Sequence, residues 1–362
     1  MAPAPGAREF AIPSELAGQR LDKVVIALAP DLTRSAAQRL LKDGLVLLDG
    51  APARASDKPA AGQTLVICPA IPEPLDLKAE DIPLDVVYED DDVLVVNKPP
   101  DMVVHPAKGH QDGTLVNALL SHCRLSTAGE DIRPGIVHRL DQHTSGLLLI
   151  AKHDQSHVAL SRQVEAHEAR RVYEALVWGH PQPPSGTVRT GFGRHPHHRT
   201  MMAVMEEGRG REAITHYRTM EAYEVVWQPS DCRAGARTPP AVIADQLDGG
   251  VQAPALQSGR PRKRQAALIE CVLETGRTHQ IRVHLAHLGC PLIGDPVYGD
   301  AVRDQAGPPE LDALVAALPG QALHALQLTF RHPRTNEEIT VRAAEPPAFA
   351  NLKAFLHSSR RP

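Results

Sequence analysis

The chain is 362 residues long, enough for two or three domains, with 42% hydrophobic residues and a formal net charge of -4. No apolar run approaches the roughly 20 residues of a membrane helix. The start, MAPAPGAREF, lacks the apolar core of a secretory signal, and the five cysteines are scattered without a CxxC pair, which points to a reduced cytoplasm.

Residues 1–11 are Pro/Ala-rich and read as a disordered tail. Residues 12–70 read as a small α/β module. Leu21, Val24, Val25 and Leu28 predict an amphipathic helix, and Thr33-Arg34-Ser35 can open a second whose apolar positions are Ala36, Leu40 and Leu41. Arg34, Arg39 and Lys42 belong to its exposed side, either as an RNA contact or as an ordinary solvated face. Strands follow from Val46 and end at Thr64–Ile67. Residues 71–80 form a Pro-containing linker, and the remaining fold is expected over 81–345 with a tail at 346–362.

In that second part, Leu84–Tyr88 and Val93–Val96 predict a hairpin around the acidic turn Glu89–Asp92. Thr114–Leu120 reads as a helix. The stretch Gly135–Lys152, GIVHRLDQHTSGLLLIAK, places charged groups immediately before an apolar run short enough for a buried strand. Such a loop suits an active site, because the rigid element holds it in place; a surface salt-bridge loop has the same spacing. Ser156–His167 fits a helix. Arg171–Val177 alternates as a strand with Arg171, Tyr173 and Ala175 on one face. A half-buried structural tyrosine has the same pattern.

In GFGRHPHHRTMMAV (191–204), His195, His197 and His198 lack Cys, Asp or Glu at ligand spacing. Their setting beside Arg194 and Arg199 suits phosphate contact better than metal. Residues 229–265 lose apolar periodicity and read as an insertion ending in Arg262-Lys263-Arg264, either a substrate-gripping loop or a solvated excursion. Ala267–Leu273 predicts a strand, and Thr278 can cap a helix along Ile281, Leu285 and Leu288.

HRLDxxTSG, RVYEALVWG and TGRTHQIRVH, in this order, resemble the three motifs of the RluA-type pseudouridine synthase family. VVYEDDDVLVVNKPPDMVVHP resembles the opening of that family's catalytic domain, and the front module resembles an S-four-like RNA-binding domain. The resemblance implies an α+β architecture, with a mixed, mainly antiparallel sheet flanked by helices behind the small module. It implies Asp141, Tyr173 and Arg282 as catalytic residues, with Arg277 a second candidate for the basic role. Arg139 and His138 would assist base flipping, and Arg34, Ser35, Arg39, Lys42, Arg194, Arg199 and Arg277 would contact RNA. The family's isomerisation needs neither cofactor nor metal. The partner would be RNA, with most resemblance to synthases of large-subunit ribosomal RNA, and the protein would act as a cytoplasmic monomer. Transfer RNA as substrate, a non-catalytic ribosome-assembly factor and a glycoside hydrolase are the alternatives. The hydrolase is disfavoured because it usually needs a carboxylate pair.

Overall fold

Apolar residues three and four apart make α1 (Leu21–Leu28), which shares one core with α2 (Arg34–Lys42) and a four-stranded antiparallel sheet. The strands are β1 (Arg8–Ala11), β2 (Val46–Leu48), β3 (Ala51–Pro52) and β4 (Thr64–Ile67), in the order β1-β4-β2-β3. The computed structural model describes residues 7–29, 34–68, 77–106, 112–126, 134–198, 201–206, 208–228, 261–299 and 307–359. The chain divides into two units, Met1–Leu75 and Asp76–Pro362. Residues 8–11, expected in a tail, instead pair with β4 from Arg8↔Ile67 to Ala11↔Thr64. The Pro/Ala bias belongs to the residues before them, and the strand covers an otherwise open sheet edge.

In the second unit, β5 (Val86–Glu89) and β6 (Val93–Lys98) form the expected hairpin. Asp90 closes its turn: Oδ1 accepts from the amides of Asp92 and Val93, both at 2.8 Å. The other strands are β7 (Ser145–Ala151), β8 (Arg170–Trp178), β9 (Ser185–Arg194), β10 (Met202–Met205), β11 (Arg211–Trp227), β12 (Arg262–Leu273), β13 (Leu323–Arg331) and β14 (Glu338–Arg342). They run in the order β10-β9-β11-β12-β8-β13-β7-β6-β5, with β14 beside β13. The described pairings are antiparallel except β7–β13, which is parallel at His324↔Ser145 and Ala325↔Gly146.

Helices cover both faces, so β7 in the middle of the sheet is buried along its whole length. On the face carrying Tyr173 and Leu148 pack α3 (Leu115–His122) and α5 (Gln280–His287). On the other, α4 (Asp154–Glu165) packs on Leu147, Leu149 and Phe330, and α6 (Pro309–Ala316) and α7 (Pro347–Ser358) pack on Trp178 and Tyr223.

Three expectations change. The expected tail at 346–362 holds α7 over Pro347–Ser358, because Phe349, Leu352 and Leu356 are buried on one side of it. Arg262–Arg264 are not loop: they pair with Val225–Trp227, and the Arg264 guanidinium lies 4.8 and 5.5 Å from the ring centres of Trp178 and Trp227. Residues 229–260 of that segment lie outside the described residues, as do 71–76 of the linker. Thr278 does not cap α5. His279 precedes the helix in a left-handed conformation (φ 60°), and Gln280 Oε1 gathers the Thr275 hydroxyl and the Arg277 amide at 2.8 and 2.9 Å. The linker's end is tied down as well, since Asn117 Nδ2 donates to the Lys78 carbonyl at 2.7 Å.

Candidate active site

The loop before β7 is anchored at both ends. Ile136 bridges Ile150, Leu140 is buried, and the Thr144 amide donates to the Asp141 carbonyl at 3.1 Å. Gln321 Nε2 donates to the Thr144 hydroxyl at 2.9 Å. Gly146 (φ 109°) lies where a Cβ would strike the Ala325 backbone, so only glycine allows β13 to approach here. Between these anchors Asp141 stays 15% exposed and borders two cavities, of about 430 and 370 Å³.

Arg282, on α5, donates through Nη1 to Asp141 Oδ2 at 3.2 Å. Its Nε and Nη2 form a fork on Asp295, at 2.7 and 2.8 Å, inside a site where Asp295 is 0% and Arg282 5% exposed. Asp295 Oδ1 also accepts the amides of Val297 and Tyr298. Burial alone would raise the Asp295 carboxyl; the Arg282 fork outweighs it and holds the group below its ordinary 3.8. The Tyr298 ring lies 5.0 Å below the guanidinium. Tyr298 Oη accepts from the Met202 amide at 2.7 Å and lies 2.9 Å from His279 Nδ1. His279 lines both cavities.

Tyr173 lines the larger cavity, and burial raises its phenol above the ordinary range, with Arg171 opposing and Asp141 adding. Lys98, fully buried at the end of β6, donates to the carbonyls of Pro99, Met102 and Gln142 at 2.7, 3.0 and 2.9 Å. Gln142 adjoins Asp141, so this lysine ties the two loops together. A second tie joins them where His143 Nδ1 meets Asp101 Oδ1. Burial pushes the Lys98 ammonium down to about 7, against the pull of Asp141 and Asp101.

The structure thus brings Asp141, Tyr173 and Arg282 around one cavity. Arg139 is exposed and lines both cavities, and Arg277 lines the larger one with Nε bonded to the Glu212 carbonyl at 3.1 Å. His138 differs from the expected RNA contact. Its Nε2 accepts the Leu149 amide at 3.1 Å, and burial, with Arg171 adding, pushes its pKa down to about 3. It is a neutral ring pinning the loop to β7. Arg194 and Lys42 are exposed, the side chains of Arg34, Ser35 and Arg39 lie outside the described residues, and Arg199 does so entirely.

The basic 191–204 stretch also has a structural side: Phe192, Met202 and Val204 pack on Val283 and Tyr298. His195 Nδ1 accepts the amides of His197 and His198, both at 3.2 Å. Sequence reading gave no role to Asp295, Lys98, Tyr298 or His279. Asp295 and Tyr298 lie in LIGDPVYGD, a short distance after the third motif.

Among the described residues one trio, Asp90, Asp92 and His332, brings ligand atoms within 4.8 Å of one another. It is poorly set for a metal. His332 Nδ1 accepts the amides of Arg334 and Thr335, which leaves the proton on Nε2, 2.9 Å from Asp90, and Arg334 holds Asp92 at 2.7 Å.

The site thus joins a buried arginine, shared between a structural and a cavity-facing aspartate, to a tyrosine on the same cavity. The chain belongs to the RNA pseudouridylate synthase family, which it matches over residues 92–287, and it carries an S4 domain over 19–65. It is therefore an RNA pseudouridine synthase, an isomerase. It is 39% identical to the ribosomal large subunit pseudouridine synthase D of Xanthomonas campestris, covering 96% of this chain and 92% of that protein. It is 38% identical to the uncharacterized RNA pseudouridine synthase YlyB of Bacillus subtilis, over 93% and 94%. Among solved structures it resembles human RNA pseudouridylate synthase domain containing 1, with 21% identity, TM-score 0.49, and coverage of 78% of this chain and 98% of that one. Among the described residues no helix is long and apolar enough to cross a membrane.

Proposed function

We propose that this enzyme converts uridines of large-subunit ribosomal RNA to pseudouridine, with Asp141 as the reacting carboxylate. The observation that carries the assignment is the 3.2 Å contact between Asp141 and an Arg282 whose other two nitrogens are fixed on Asp295. The guanidinium gives Asp141 a counter-charge when a base covers it. The N1–C1′ bond breaks, the uracil turns, C5 bonds to C1′, and the C5 proton leaves. Asp141 acts as nucleophile or electrostatic stabiliser at the first step. Tyr173 packs on the detached base, as a neutral phenol given its burial.

Arg139, exposed beside Asp141, fills the space the uridine vacates and holds phosphates. The ribosomal target is supported by the name of the Xanthomonas relative, and the S4 domain supports RNA capture through α2.

The test is tritium release from C5 of labelled uridine in unmodified ribosomal RNA. Wild type is expected to release it, while Asp141→Asn folds, binds RNA and releases none. Turnover by Asp141→Asn would overturn the assignment, and release from transfer RNA alone would move the target.

A further inference from the structure

Among the described residues, Arg171 is a buried cation without a counter-charge. It is 5% exposed, and its one side-chain hydrogen bond among the described residues runs from Nη2 to the Glu274 carbonyl at 3.3 Å. Nε is buried with no partner, and Nη1 takes none among the described residues. No described carboxylate lies within ion-pair distance, whereas Arg282 in the same cavity wall holds two. Leaving a guanidinium this way is costly unless an anion arrives during function. Arg171 stands two residues before Tyr173 on the same face of β8 and lines the same 430 Å³ cavity.

We infer that Arg171 receives a carbonyl oxygen of the detached uracil and stabilises the base as a leaving group. This rests on the pseudouridine synthase reading above. When the N1–C1′ bond breaks, its electron pair stays with N1 and the charge spreads to O2 and O4. A guanidinium that is itself 5% exposed then faces developing negative charge, and such desolvated donors act most strongly. A backbone phosphate is the other anion RNA offers. The depth of Arg171 favours the base, because the base is the part of a flipped nucleotide that enters a cavity. His138, on the same wall, is bonded through Nε2 to β7 and does not supply a competing cation.

The test compares wild type, Arg171→Gln and Arg171→Lys in single-turnover tritium release, with RNA affinity measured by filter binding across salt. The expected result for Arg171→Gln is a rate loss of about 100-fold, RNA affinity within about twofold, and partial recovery in Arg171→Lys. An inert wild type would overturn the pseudouridine reading itself; an active wild type with an unimpaired Arg171→Gln overturns only this inference. A roughly tenfold weaker affinity with a salt slope reduced by about 1 marks a phosphate contact and also overturns it.

Should Arg171→Gln fail to fold, Gly276→Ala decides, since its new Cβ would lie 3.1 Å from Nη1 and make the guanidinium give way slightly while keeping its charge. Slower turnover at unchanged RNA affinity is the supporting outcome there, and an unchanged rate is the opposing one.

Discussion

Replacing Asp295 by Asn tests whether the Arg282 fork is what aims the third nitrogen at Asp141. The substitution keeps the side-chain shape, removes one charge of a pair that is 0% and 5% exposed, and turns one acceptor into a donor facing a guanidinium. Breaking a buried pair from one side costs about 3–5 kcal/mol, because the remaining charge stays desolvated. Asp141→Asn removes a single 3.2 Å contact at a 15% exposed position and is expected to cost under ~2 kcal/mol.

The two variants should therefore separate. Asp295→Asn loses much stability, with turnover falling by about 100-fold as the Arg282 donor loses its aim; Asp141→Asn loses turnover entirely at a small cost in stability. Urea denaturation and tritium release measure the two effects. A further check is pH. Because the folded Asp295 pKa lies below 3.8, its contribution is complete above the unfolded value and disappears as the pH falls through the folded one. The wild-type advantage over Asp295→Asn should shrink on acidification over that window alone. Unchanged stability with lost turnover would place Asp295 in the chemistry and refute the positioning role. Lost stability with an unchanged rate would show that Arg282 needs no fork.

Lys98→Met removes the donor to three carbonyls and should slow turnover by loosening the loop at Gln142. With a folded pKa of about 7 against 10.5 unfolded, folding sheds the Lys98 proton between those values, so the stability of wild type relative to Lys98→Met should rise with pH from 7 to 9. A flat or falling difference in urea denaturation would contradict this. Phe349→Ala should destabilise the protein by about 3–5 kcal/mol, read as a lower urea midpoint, and a loss under ~1 kcal/mol would make α7 dispensable. Arg34→Ala with Arg39→Ala should lower the slope of log affinity against log salt by about 1.5–2, and an unchanged slope would take α2 out of RNA capture.

Local signals carried much of the architecture. Spacing at Leu21, Val24 and Val25, the run Leu147–Ala151 and the alternation around Tyr173 each reflect one element meeting one core, and a chain reader sees that directly. The expected tail holds a helix although nothing but the spacing of Phe349, Leu352 and Leu356, all buried, marks it locally. Arg262–Arg264 misled for a different reason: three basic residues suggest water, but Arg264 is covered by two tryptophans, Trp178 and Trp227, from different strands. Asp295 and Lys98 were invisible because their meaning lies in partners 13 and 44 residues away. No periodicity encodes a contact of that kind.

The site's electrostatics follow from how differently its aspartates are solvated. An arginine that bonded only Asp141 would be free to swing with it, and the pair would be worth little at a partly open surface. Asp295 supplies a second anion inside the protein, and two of the three guanidinium nitrogens are spent there. The third can then point at Asp141 without further loss of side-chain freedom when RNA arrives, which is preorganisation in the sense that matters for rate. Asp141 itself remains on a loop, held by Thr144 and Leu140 but open to two cavities, so a base can cover it. Charge that must stay put is buried with a full set of partners. Charge that must react is left one partner short.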